Sequence, residues 1–144
     1  MTMYHNSPVE IKEIKSNGLY GTGLFFASSS CGFGSFTYEL DTDEIKSCTA
    51  THLRYEFDET EKEVSAFAEK WEIEAETAFD IITGKENEYN HIDSCIAGDA
   101  GWEAQKIALI LAVKAGYEAV ELEDENGTVW LVDGNVAIKK WREI

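Results

Sequence analysis

Glu121-Leu122-Glu123-Asp124-Glu125-Asn126-Gly127-Thr128-Val129-Trp130-Leu131-Val132-Asp133 reads as a β-hairpin. Asn126-Gly127 is the strongest turn dipeptide in the chain, since both residues tolerate positive φ. Tyr117 to Glu123 alternates as one strand, and Thr128 to Asp133 returns as its partner. Gly134-Asn135 predicts another turn, and Val136 to Trp141 a last strand. Upstream the period changes. Val64, Phe67, Trp71, Ala75, Ala78, Phe79 and Ile82 recur at spacings of three and four, which predicts one helix over 58–83, stopped by Gly84. Glu61, Glu63, Glu69, Glu72 and Glu76 fill its solvated side. A second helix is expected over 99–115, capped by Asp99, with Trp102, Ile107, Leu111 and Ala115 inward and Gly116 at its end. The first third is strand-like again. Residues 3–16 read as a strand and turn that Pro8 interrupts, followed by a turn at Asn17-Gly18. Leu24 to Ala27 reads as a buried strand, and Ser35 to Leu40 as a strand with Phe36, Tyr38 and Leu40 on one face. The order strand-rich, helical, strand-rich is that of an α+β chain, not of a regular βαβ alternation.

Composition bounds the rest. The 144 residues suit one domain over 1–144, and 44% hydrophobic content with four Trp predicts a packed core. No stretch is apolar for long enough to span a bilayer, and the first residues lack the basic and apolar regions of a secretion signal. Cys31, Cys48 and Cys95 are odd in number and show no CxxC spacing, which fits a reduced, cytoplasmic chain. Twelve bases against twenty-eight acids give a net charge of −16. Phosphate backbones repel such a chain, so a direct nucleic-acid binder is not expected. A partner with a basic surface would attract it, although solubility alone also accounts for such a charge.

The side chains with chemical promise are few. His5 and Ser7 stand two apart and share a strand face, where they can bond a ribose and a carboxamide. A lone histidine is more often simply a bonded polar residue. Phe25 and Phe26 point to opposite faces, so one can pack inward while the other lines a cleft. The hairpin stretch carries five acids, and a carboxylate there can stabilise an oxocarbenium-like centre. It also reads as an ordinary acidic turn. No P-loop, GxGxxG or metal-ligand spacing occurs, because His5, His52 and His91 are scattered. Cys31 lies in a Gly/Ser loop with no partner histidine indicated by spacing, which makes it a weak candidate nucleophile.

Three segments together resemble the His-Tyr-Glu class of ADP-ribosyltransferases: Tyr4-His5-Asn6-Ser7, then Gly21-Thr22-Gly23-Leu24-Phe25-Phe26-Ala27, then the late acidic hairpin. More specifically, Tyr4 to Ile11, Leu24 to Ala27, Trp102-Glu103, Gly116-Tyr117 and Asp124 to Thr128 are similar to the phage type I-F anti-CRISPR ADP-ribosyltransferase family. The resemblance implies a split β-sandwich with flanking helices. It implies NAD as substrate, held by His5, Asn6, Ser7, Phe25, Phe26 and Tyr38. It also implies mono-ADP-ribosylation of the large, PAM-reading subunit of a type I-F CRISPR surveillance complex in the host cytoplasm. Phe25 stands where the class has tyrosine, and Asn6 where it often has glycine. The class glutamate, counted back from Asp133, falls on Thr128, which carries no charge. The catalytic acid is therefore assigned to Asp124, with Glu125 second and Asp133 third, and His5 as the accompanying catalytic residue. The alternative is a non-enzymatic acidic mimic that blocks a nucleic-acid site.

Overall fold

A computed structural model describes residues 1–14, 22–29, 34–124 and 127–144, with Asp124 described by its main chain. The expected turn at Asn17-Gly18, and Gly21, Cys31, Glu125 and Asn126, lie outside the described residues.

The strands are β1 (Thr2–Ser7), β2 (Gly23–Ala27), β3 (Phe36–Asp41), β4 (Ser47–Thr49), β5 (Ala119–Asp124), β6 (Gly127–Asp133) and β7 (Arg142–Glu143). The helices are α1 (Lys62–Trp71), α2 (Ala75–Ile82), α3 (Ala97–Lys114) and α4 (Gly134–Lys140). The described strands form one mixed sheet in the order β4-β5-β6-β2-β1-β3-β7. Only β4 and β5 run parallel. This is the α+β class read from the sequence.

The period of two divides the core between the two faces of the sheet. Val120, Leu122 and Leu131 pack under α1, α2 and α3 with Leu53, Phe67, Phe79 and Leu111. Ala119, Trp130 and Val132 face the other way and meet Met3, Phe26, Leu40 and Ala137 of α4. The sheet is nearly divided in the middle. β1 pairs with β3 from Thr2↔Asp41 to Ser7↔Phe36, and β2 pairs with β6 from Gly23↔Asp133 to Ala27↔Val129. Between β1 and β2 the register is the single pair Tyr4↔Ala27. The expected split is thus a divergence within one sheet, not two separate sheets.

Several element boundaries differ from the sequence reading. The helix expected over 58–83 is two, because Glu72 turns left-handed at φ 55°. Ile73 N–H then bonds Ala68 O and Glu72 N–H bonds Glu69 O, which closes α1 in a Schellman motif. Gly84 stops α2 as expected, in the same motif, with Lys85 N–H on Asp80 O. Asp99 does not cap α3, since the helix begins two residues earlier with Ile96 at the cap; Asp99 sits in the first turn instead. Trp102 is nearly half exposed, because it lies about 200° around the helix from the buried Ala100 and Ala104. Glu61 and Glu63 are more than solvated surface, because both reach Lys114 of α3, at 2.9 and 3.6 Å. The expected last strand over Val136–Trp141 is helix α4. Asp133 accepts from Asn135 N–H at 3.1 Å and caps it, and Ala137 is turned into the core.

Candidate functional site

His5 stands where β1 and β2 diverge. Its Nδ1 donates to the Phe25 carbonyl at 2.6 Å, so the imidazole bridges two strands whose ladder has parted. With the proton on Nδ1, the neutral ring keeps Nε2 as an acceptor. Burial lowers the His5 pKa below its ordinary 6.5, against the opposing pull of the Phe25 carbonyl. The site therefore favours the neutral ring. Its centroid lies 5.5 Å from that of Phe26, on the sheet face away from α3.

The neighbouring residues take distinct roles. Phe26 is fully buried, whereas Phe25 is half-buried and leans on the α3 side. His5 thus meets the backbone of Phe25 and the ring of Phe26. Ser7 is buried, and its hydroxyl donates to Val9 O at 2.6 Å while accepting from Val9 N–H at 3.3 Å. This bond pair fixes the turn at Pro8. Asn6 Oδ1 accepts from Thr37 Oγ1 at 2.9 Å, directly across the β1–β3 pair. Tyr38 lies opposite His5 in the register. Its ring is buried, stacked on Trp141 at 4.0 Å and 17°, and its hydroxyl accepts from Ile11 N–H at 2.8 Å. Tyr38 is therefore held in place on the strand beside His5, and its stacked face is taken by Trp141.

Thr37, Gly34 and Trp141 escaped the sequence reading. Gly34 has φ 84°, and a Cβ there would stand 2.3 Å from Ser7 O, so only glycine lets the 34–35 segment close on the turn. The dipeptide context gave no sign of this, because the contact depends on strand order.

The acidic hairpin forms, but Gly127 lies in β6 instead of the turn, and Glu123, not Asp124, stands opposite Thr128. β5 and β6 pair from Ala119↔Val132 to Asp124↔Gly127, with Gly127 at φ 109°. Thr128 lies opposite Glu123, and its Oγ1 donates to Glu123 Oε1 at 2.7 Å. Asp124 is the last residue of β5, at the hairpin end. Asp133 lies at the other end of β6, opposite Gly23, where it caps α4. Strands β6 and β2 stand between β5 and β1. The hairpin end and His5 are thus separated by three strand spacings, about 14 Å in the direction across the strands, with a further offset along them. Burial, and after it the nearby carboxylates of Glu56 and Glu121, push the Cys48 thiol up to about 11 and leave it unsuited to nucleophilic work at neutral pH. Among the described residues no group of His, Cys, Asp and Glu is arranged to hold a metal ion.

A model of the family described as anti-CRISPR type I-F ADP-ribosyltransferase AcrIF11 matches residues 1–140. The chain belongs to this family. It is an ADP-ribosyltransferase of the anti-CRISPR kind. The solved structure of an anti-CRISPR protein is similar over the whole chain and 95% of its own length, at 29% identity and a TM-score of 0.63. No curated protein matches the chain. The family assignment sets aside the non-enzymatic mimic. In this transferase no helix of the described residues is long and apolar enough to cross a membrane.

Proposed function

We propose that the transferase takes NAD at the β1–β2 divergence and moves its ADP-ribose to the large, PAM-reading subunit of a type I-F CRISPR surveillance complex. It would act in the host cytoplasm as a single domain spanning 1–144. The observation that carries this reading is His5, held neutral with Nδ1 on the Phe25 carbonyl and Nε2 left to accept. Such a nitrogen suits a ribose hydroxyl donor. Asn6, oriented by Thr37, and the turn fixed by Ser7 offer amide groups to the carboxamide, with an aromatic ring of β2 against the nicotinamide. Tyr38 belongs to the site from the strand beside His5.

The reaction breaks the bond between nicotinamide nitrogen and ribose C1′. Nicotinamide leaves with the bonding pair, and the ribose carbon gains oxocarbenium character. A target side chain supplies the new bond to C1′ and gives up a proton. Asp124 is assigned the carboxylate that stabilises the developing positive charge, with Glu125 behind it. Asp133 stands third, because its Oδ1 accepts from Asn135 N–H in the cap of α4 at the far end of β6. The transferred group adds bulk and two negative phosphates where the target meets DNA, which opposes docking.

The test is mass spectrometry of the complex after incubation with NAD. The large subunit should gain one ADP-ribose and lose binding to PAM-bearing DNA. Equal inhibition in the rigorous absence of NAD would overturn the enzymatic reading. Asp124→Asn should cut transfer roughly 100- to 1000-fold with the fold intact. Glu125→Gln should do less. His5→Ala should weaken NAD use by on the order of 1–3 kcal/mol.

A further inference from the structure

A concavity of about 860 Å3 lies along the outer edge of β5, on the side away from β6. It exists because β4 stops at Thr49 while β5 runs on to Asp124. The chain after Thr49 bends into a 3-10 turn over Thr51–Tyr55. Ala50 N–H on Glu121 O, at 3.0 Å, is the last main-chain bond across this edge. Alternation along the ladder then turns the N–H and C=O of Glu123 toward the cleft. Among the described residues no strand pairs with them there. An edge of this kind accepts an added strand.

The lining is strongly negative. Glu86, Glu88, Glu121 and Glu123 border the cleft against the single Lys85. Glu86 faces His91 at 3.3 Å and Glu123 accepts from Thr128. Among the described residues Glu88 and Glu121 have no ion-pair partner. Arg54, nearby under Thr83, is already taken by Asp80 at 2.7 Å. Four carboxylates repel a diphosphate, so the cleft is unsuited to NAD. They favour ammonium and guanidinium groups. The cleft also ends at Glu123, the residue next to Asp124.

We infer that this cleft holds an extended, lysine- and arginine-bearing segment of the target protein, laid along the free edge of β5. The inference rests on the transferase reading above and adds the site that presents the acceptor. Backbone bonds to Glu123 fix the segment's depth. The carboxylates fix its basic side chains, and its end is delivered to the hairpin where transfer takes place.

The test uses the full chain, NAD and the purified type I-F complex. Two variants are made: Glu88→Lys with Glu121→Lys, which reverses the charge, and Gln105→Trp, which fills the cleft without altering charge. Either should raise the KM for the complex about tenfold or more, with kcat at saturation and NAD affinity by calorimetry unchanged. Unchanged transfer kinetics in both variants would overturn the inference. So would a matching loss of NAD affinity, which would make the cleft part of the NAD site. Should the wild-type protein transfer nothing, the enzymatic reading fails by itself. The cleft is then judged by binding to the unmodified complex without NAD. Weaker capture of the charge-reversed variant supports it, and equal capture refutes it.

Discussion

At the scale of single residues, His5 couples the site to stability. Burial depresses its pKa below 6.5, so the unfolded chain binds the proton more readily than the folded one. The His5 contribution is therefore complete above 6.5 and is lost as pH falls through the folded value. Asp41, bonded by Asp43 N–H, and Asp58, bonded by Thr60, are both held below 3.8, so their losses come at much lower pH. Thermal melts from about pH 7 to about pH 5 should show a fall in Tm that a His5→Asn variant lacks in part. Identical slopes for the two proteins would mean that the imidazole titrates as it does in water. Gly134 makes a second residue-scale prediction. A Cβ there would stand 2.4 Å from Thr22 O, which accepts from Gly134 N–H at 2.8 Å. Gly134→Ala should cost about 1–3 kcal/mol in urea unfolding, because the clash is with backbone and cannot be relieved by a rotamer.

At the scale of elements, the break between α1 and α2 is set by one residue. Glu72 adopts a left-handed conformation that costs a side-chain-bearing residue about 1 kcal/mol or more. Glu72→Gly should stabilise the protein by up to about 1 kcal/mol, and Glu72→Val should destabilise it by a similar amount, both read from the urea midpoint. A destabilising Gly variant would show that the Glu72 side chain contributes more than its backbone strain costs. The same residue explains why one helix was read where there are two. The apolar stripe from Val64 to Ile82 keeps its spacing through the break, so periodicity carried no mark of it. The β5–β6 hairpin was legible because Asn126-Gly127 marks a reversal of the chain, although Gly127 itself is paired with Asp124 in the ladder. Helix α4 was not, because Val136 and Ile138 suit strands, while the deciding facts are the Asp133 cap and the seat of Gly134 on Thr22. In the site, His5 was legible as a motif. Its bond to the Phe25 carbonyl was not, since it depends on β1 and β2 being neighbours that part after one pair. Tyr38 was named among the NAD-holding residues on the family resemblance alone; its burial against Trp141 comes from the C-terminal segment, which no local pattern connects to β3.

At the scale of the molecule, charge is unevenly spent. Lys70 holds Glu103, Lys114 holds Glu61, Arg54 holds Asp80, and Arg142 holds Glu39 and Glu44, all within 3.2 Å. Many of the twelve bases thus serve to tie elements together, and the net −16 is left to the solvent-facing carboxylates. Such a field does little for folding, because exposed pairs and unpaired surface acids contribute under about 1 kcal/mol each. Its effect belongs to encounter. A complex that binds DNA presents basic surface, and opposite fields raise the association rate by tenfold or more at low ionic strength. Screening removes this gain, since the Debye length falls from about 30 Å at 0.01 M to about 10 Å at 0.1 M. Association of the Asp124→Asn variant with the complex isolates this step, because no modification follows to change the surface. Its on-rate should fall roughly tenfold between about 0.01 and 0.1 M salt, with the off-rate nearly constant. An on-rate independent of salt would mean that the acidic surface serves solubility alone and that short-range complementarity finds the target. A strong salt effect on the off-rate instead would place the decisive charges inside the bound interface, among them the carboxylates beside β5.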